Sequence, residues 1–174
     1  MTTLARWPSG SLSPAGSYLA AKGAIMPVMG FVKFERLFRE AGRVRVDRDD
    51  VKRYLEFVND VIYDLLIVGQ AAAKANARDI VEPQDLPVGA GLQQCMHQFD
   101  RIDEEIELRP ILDSLADRPP LITALSEATQ ARLPMVFGGV TVALARTFRI
   151  VDAKVTAVHT KEWERAFSLL RVLI

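Results

Sequence analysis

From Phe31 onward the apolar positions recur at helical steps. Phe31, Phe34, Leu37, Phe38 and Ala41 fall three or four residues apart, and Gly42 stands where such a helix would stop. A short link, residues 43–46, ends at Asp47, whose carboxylate suits an N-cap. Val51, Tyr54, Leu55, Val58, Val61, Ile62, Leu65, Leu66, Gly69, Ala72 and Ala73 then hold one stripe to about Ala77, with Asp50, Lys52, Arg53, Glu56 and Asp60 off it. A helix of that length is a rod of about 40 Å. Ile80 and Val81 form a short β-prone piece, and Glu82-Pro83-Gln84-Asp85 opens a short helix with Pro83 in its first turn.

After a linking segment the order repeats, with the second copy dissimilar in residues. A helix is predicted over about 107–116, broken at Pro119-Pro120. A second long helix follows over about 121–151, with Ile122, Leu125, Leu133, Val136, Phe137, Val140, Leu144 and Phe148 on its stripe. Pro134 lies inside it and should kink it. A loop over 152–159 leads to Thr160 as N-cap of a last helix that turns Trp163, Ala166, Phe167 and Leu170 inward. Two short helices cannot cover the stripe of a 40 Å helix, so each long helix needs another across it. Both are on one chain, at high effective concentration, so the expected product is an all-α intramolecular pseudo-dimer that runs as a monomer. Residues 1–28 are expected to be a dispensable extension, 29–90 the first unit and 91–174 the second, packed on the first.

Composition narrows the possible roles. Acidic and basic residues balance at 22 each, so no overall field draws the chain to nucleic acid or to an anionic membrane. The single cysteine, Cys95, has no internal disulfide partner. No apolar run approaches the roughly 20 residues of a membrane helix. Residues 1–27 are rich in Ser, Gly, Pro and Ala and contain no acid, and Lys22 and Gly23 interrupt any signal-like core. A disordered tail, a start at Met26 or Met29, and a transit peptide are the readings open there, and the cytoplasm is the expected location.

Two motifs at matching separation carry a resemblance. Arg36-Leu37-Phe38-Arg39-Glu40-Ala41-Gly42, followed by Arg45-Val46-Asp47, resembles the first helix and loop of archaeal histones. Residues 76–86, with Arg78 and Asp85, resemble their second loop and the start of their third helix. The likeness covers about residues 31–90. As a whole the chain resembles a bacterial family of single-chain proteins with two histone folds in tandem and no known function. The resemblance implies that Arg78 and Asp85 form a structural clamp, which suits an acid near a helix N-terminus. It also implies that Arg36 and Arg45 face DNA, and Arg39 and Arg43 join them as candidate DNA-binding residues. Where the archaeal second loop is basic, this chain has Asp79, Ile80 and Glu82. The second copy offers only Arg118 beside its prolines and Lys154 in its last loop.

Other chemistry has little to stand on. His97 and His159 lie far apart, with no cysteine or carboxylate at ligand spacing, so no metal is expected. Asp100, Asp103, Glu104, Glu105 and Glu107 read as a solvated acidic face, and Cys95 as a small buried or half-buried side chain. Gly138-Gly139 follows no strand and is no phosphate loop; a close crossing of helices at the centre of the pseudo-dimer explains it. No nucleophile, base and orienter set emerges, and no catalytic residue or cofactor is expected. Three readings remain: a non-catalytic structural or interaction protein with an unidentified protein partner, an architectural DNA-binding protein acting at the nucleoid, and an enzyme whose site the sequence hides. The first is expected, with at most weak, non-specific DNA binding.

Overall fold

The computed structural model describes residues 28–115, 121 and 123–173. The expectations for residues 1–27, for the break at Pro119-Pro120 and for Ile122 lie outside the described residues. The fold is all-α, with two short parallel strand pairings. Helix α1, Val28–Gly42, and a 3₁₀ turn, Arg48–Asp50, precede the long helix α2, Val51–Ala75. Strand β1, Ile80–Val81, and a second 3₁₀ turn, Pro83–Asp85, lead to α3, Ala90–Ile106, and the short α4, Arg109–Leu115. Strand β2, Ala124–Leu125, precedes the second long helix α5, Glu127–Val151, and α6, Thr160–Leu173, closes the chain.

The second half departs from the sequence-based expectation in three places. Residues 90–106, read as a link, form a helix that buries Leu92, Cys95, Met96, Phe99 and Ile106. Pro87 separates it from the 3₁₀ turn: Leu86 is held extended before the proline, so the helix cannot run on from Asp85. The predicted helix over 107–116 begins two residues later. Glu107 sits in the left-handed region at φ 51°, ending α3 there. The buried Asp103 carboxylate accepts the amides of Leu108 and Arg109 at 2.6 and 2.8 Å, which sets the start of α4. The second long helix starts at Glu127, not near residue 121. Leu125 is taken by strand β2, and Ser126 caps the helix by accepting the Thr129 amide at 3.1 Å.

Smaller corrections have the same local character. Helix α1 does end at Gly42, but the left-handed residue that turns the chain there is Arg43 at φ 55°. Gly42 is a glycine because α5 lies against it: a Cβ there would meet the Ala145 carbonyl oxygen at 2.2 Å. The predicted N-cap Thr160 is the first residue of α6. The Glu162 carboxylate instead reaches back to the His159 amide at 3.0 Å. Gly138 and Gly139 do mark a close crossing, but with α3, where Phe99 and Met96 press on them.

Helix α5 is the central element, touching α1, α2, α3, α4 and α6. By length and composition alone it could cross a membrane, yet 67% of its most apolar window is buried inside the protein. The aromatic core lies between the halves: Phe38 packs on Tyr54, Phe148 and Trp163, and Phe57 stacks on Phe167 at 4.1 Å. The two long helices meet at Tyr54, whose ring faces Phe137 and whose hydroxyl lies 2.7 Å from the Thr141 hydroxyl. Thr141 gives its only proton to the Phe137 carbonyl at 2.8 Å, so Tyr54 is the donor between them. Burial pushes the Tyr54 phenol well above its ordinary range.

That proton assignment has a consequence for stability. Tyr54→Phe leaves Thr141 with its carbonyl partner and should cost about 0.5–1.5 kcal/mol, the net value of one hydrogen bond. Thr141→Val strands a buried phenol and should cost more, about 1–3 kcal/mol. Urea unfolding of both variants checks the order, and the reverse order would mean that the hydroxyls are oriented the other way.

Candidate nucleic-acid interface

Residues of α1 and the loop after it hold the four candidate arginines, and their surroundings divide them. Arg36 is exposed but engaged, with Glu40 one turn on at 2.6 Å and Glu105 of α3 at 2.7 Å. The hydrogen bond it donates to Glu40 leads the causes that raise its pKa. Arg39 pairs with Glu35 at 2.8 Å. A phosphate reaching either would have to displace a carboxylate already in place. Arg43 and Arg45 are exposed and make no ion pair among the described residues.

The local fold explains why Arg45 points outward. After the left-handed Arg43, itself exposed, residues 44–46 run extended with alternating burial: Val44 and Val46 enter the core, which turns Arg45 to solvent. The backbone of Arg45 is fixed on both sides. Its amide donates to the Thr156 carbonyl at 2.9 Å, and its carbonyl accepts the Val158 amide at 3.1 Å. This parallel bridge between Arg45 and Ala157 lays the loop after α1 beside the loop before α6. The exposed Lys154, on that second loop, joins Arg43 and Arg45 at one end of the molecule. Sequence reasoning leaves Lys154 outside the four-arginine set, because nothing near it in the chain ties it to Arg45. The same loops carry exposed Asp47, Asp49 and Asp152, so the cations stand among acids.

A second pairing of the same kind joins the other two loops. Ile80 and Val81 pair in parallel with Ala124 and Leu125. The Val81 carbonyl takes the Ser126 amide at 3.0 Å and the Thr129 hydroxyl at 2.8 Å. Among the described residues of these two loops and their flanking turns the exposed charges are Asp79 and Glu127, with Glu82 half-buried. Arg78 is spent on Asp85, giving both terminal nitrogens to the two carboxylate oxygens at 2.5 Å. Asp85 also accepts the Glu82 amide at 2.8 Å. Among the described residues the first loop pair therefore carries the unpaired cations Arg43, Arg45 and Lys154, and the exposed loop charges at the second are acidic; Arg118 lies outside the described residues.

The remaining candidates resolve into packing. The acidic run is not simply a solvated face: Asp103 is buried at the α3–α4 turn, Asp100 holds Arg109 at 2.5 Å, and Glu105 holds Arg36. Cys95 is buried, and burial raises its thiol pKa despite Arg146 nearby. Among the described residues no group of three His, Cys, Asp or Glu side chains converges as a metal site would require.

The model of one family, described as a domain of unknown function (DUF1931), matches residues 34–171. The crystal structure of ttk003001566 from Thermus thermophilus is 39% identical; the match covers 86% of this chain and 99% of that one, with a TM-score of 0.75. The 1.9 Å crystal structure of protein AQ328 from Aquifex aeolicus is 18% identical, covering 83% of this chain and 95% of that one at a TM-score of 0.73. An uncharacterized protein of Aquifex aeolicus (strain VF5) is 22% identical over 110 residues, which is 63% of this chain and 64% of that protein, just under two thirds of its length.

Proposed function

This chain belongs to the DUF1931 family, a domain of unknown function, and we propose that it is a non-catalytic scaffold made of two histone folds in tandem, closed into an intramolecular pseudo-dimer. The observation that carries this is the reciprocity of the loop pairings. The first loop of copy one lies beside the second loop of copy two at Arg45 and Ala157. The second loop of copy one lies beside the first loop of copy two at Ile80–Val81 and Ala124–Leu125. Two like units crossing their long helices head to tail make those two contacts together, and an unrelated helical bundle has no reason to make both. On this reading α1, α2 and α3 form copy one, α4, α5 and α6 form copy two, and the boundary falls near Glu107, not at residue 90. Light scattering should return the mass of one chain, 19.4 kDa.

DNA binding, on the same reading, is weak and blind to sequence. Arg43, Arg45 and Lys154 are the cations left unpaired at one loop pair, while Asp79 and Glu127 oppose phosphates at the other. Neutralising two or three phosphates gives a slope of log affinity against log salt of about −2 to −3. Dissociation constants at physiological salt should lie at or above the non-specific range of about 10⁻⁴–10⁻⁶ M. A DNA titration at two salt concentrations tests this. Charge reversal of Arg43 and Arg45 together should abolish binding at low salt, whereas reversing Arg36 should do less because Glu40 and Glu105 already hold it. Nanomolar binding at physiological salt with a steep slope would instead favour the architectural DNA-binding reading, in which the free arginines are the working surface.

A further inference from the structure

Helices α3 and α5, with Arg109 at the start of α4, wall a groove of about 400 Å³. That volume lies within the roughly 300–1,000 Å³ of small-molecule sites. Met96, buried and packed on Gly139, and the half-buried Met135 give the groove an apolar lining. His97 and Gln93 line it from exposed positions on α3, and neither side chain makes a hydrogen bond or ion pair among the described residues. Adaptable apolar surface therefore adjoins polar groups whose hydrogen-bonding capacity is open.

The charges on the lining are two cations and one acid, and their pairing is unequal. Arg109 gives a terminal N–H to Asp100 at 2.5 Å and holds its Nε 3.3 Å from Asp103. Asp103 is buried, is not on the lining, and also accepts two backbone amides. Asp100, the acid on the lining, is thereby taken. Arg132 of α5 is half-buried on the same lining as the two methionines, and its side chain has no ion pair or hydrogen bond among the described residues. A partly buried cation has given up hydration without gaining a counter-ion. The adjoining groove, about 410 Å³, shares Arg109 and Ala131 but is lined by Asp113 and Glu127, so an anion is favoured only on the Arg132 side.

We propose that this groove binds a small organic oxyanion, a carboxylate or phosphate head on a short apolar body. The head accepts hydrogen bonds from the Arg132 guanidinium, whose planar fork matches two oxygens at once, with His97 and Gln93 as further donors at the rim. The body lies on Met96 and Met135, whose unbranched side chains adapt to its shape. Arg109, held by Asp100 and Asp103, is the end wall and not the anion's partner. A cationic ligand is the poorer occupant, because the acid on the lining is already neutralised.

The test uses the full chain, isotope-labelled for NMR, titrated with hexanoate, hexyl phosphate, hexylammonium and inorganic phosphate. Amide shifts of residues 93–100 and 131–135 should move saturably with hexanoate or hexyl phosphate, the tighter of the two identifying the head group. They should stay still with hexylammonium, and inorganic phosphate, which lacks the apolar body, should bind more weakly than hexyl phosphate. Arg132→Gln, and His97→Glu, which sets a carboxylate on the rim, should each weaken binding at least about tenfold, roughly 1.4 kcal/mol. Thermal melts followed by circular dichroism should show both variants folded, and the exposed His97 position still decides if Arg132→Gln does not fold. Absence of saturable shifts with both organic anions overturns the proposal. An equal response to hexylammonium, inorganic phosphate binding as tightly as hexyl phosphate, or unchanged affinity in both variants overturns it as well. So do shifts that fall on Arg43, Arg45 and Lys154 and leave the groove unmoved, since the anion then sits at the loops.

Discussion

Phe99→Ala should lower the unfolding free energy by about 3–5 kcal/mol, and Gly138→Ala, harmful in the native background, should become favourable in the truncated one. Phe99 is fully buried, and its ring lies flush on the backbone of α5. An ideal Cβ on Gly138 would fall 2.2 to 2.4 Å from three of its ring atoms. With the ring present, the added methyl has to displace a packed aromatic, which costs about 1–3 kcal/mol or more. Against that stands only the helix-propensity gain of alanine over glycine, about 1 kcal/mol. Removing the ring removes the collision and opens a cavity that the methyl enters, so propensity and packing then act together and the sign reverses. Urea unfolding of the two single variants and the double variant measures the coupling. If Gly138→Ala costs the same in both backgrounds, ring and glycine do not touch and α3 does not cross α5 there.

The second large effect is carried by charge and should depend on pH. Asp85 is buried, with the Arg78 guanidinium on both its oxygens and the Glu82 amide on one. The Arg78 hydrogen bonds hold its carboxyl below the usual carboxylate range, against the opposing effect of burial. A carboxyl whose pKa is depressed by folding stabilises the native state above its unfolded value, about 3.9, and loses that contribution as pH falls through the folded value. Asp85→Asn should therefore unfold at clearly lower urea than the parent at pH 7. The gap should hold to about pH 5 and close progressively below about pH 4. Arg78→Ala should follow the same course, and the double variant should lose less than the sum of the singles. A gap that stays flat down to pH 3 would show that ionisation of Asp85 contributes nothing to stability.

Much of this fold is written locally. The stripe Val51 to Ala73, the stripe from Phe31 to Ala41 and the Trp163–Leu170 face are dense and regular, so α1, α2 and α6 can be placed from period alone. Helix α3 is harder to see because its buried positions, Leu92, Cys95, Met96, Phe99 and Ile106, are diluted by Gly89, Gly91 and a strongly polar outer face. Its period is there, but only the packing against Gly138 and Gly139 gives it weight. Period alone misplaces the start of α5 for a related reason. Residues 124 and 125 carry apolar character that suits a helix stripe, and β1, far away in the chain, claims them as strand.

The candidate site shows the same division. That Arg36, Arg39, Arg43 and Arg45 cluster, and that Arg78 and Asp85 stand at a turn, depends on spacing within a few residues, which the sequence by itself determined. The one-turn partners Glu40 and Glu35 of Arg36 and Arg39 lie in the same local spacing, whereas the second hold on Arg36, by Glu105 from α3, and the meeting of Arg45 with the loop of Lys154 from beyond α5 were decided only by tertiary structure. Local periodicity and capping act between neighbours and can be read in order. Ion pairs, loop pairings and helix crossings act between residues that meet only after the chain has closed on itself, and their energies depend on distances that no one-dimensional pattern contains.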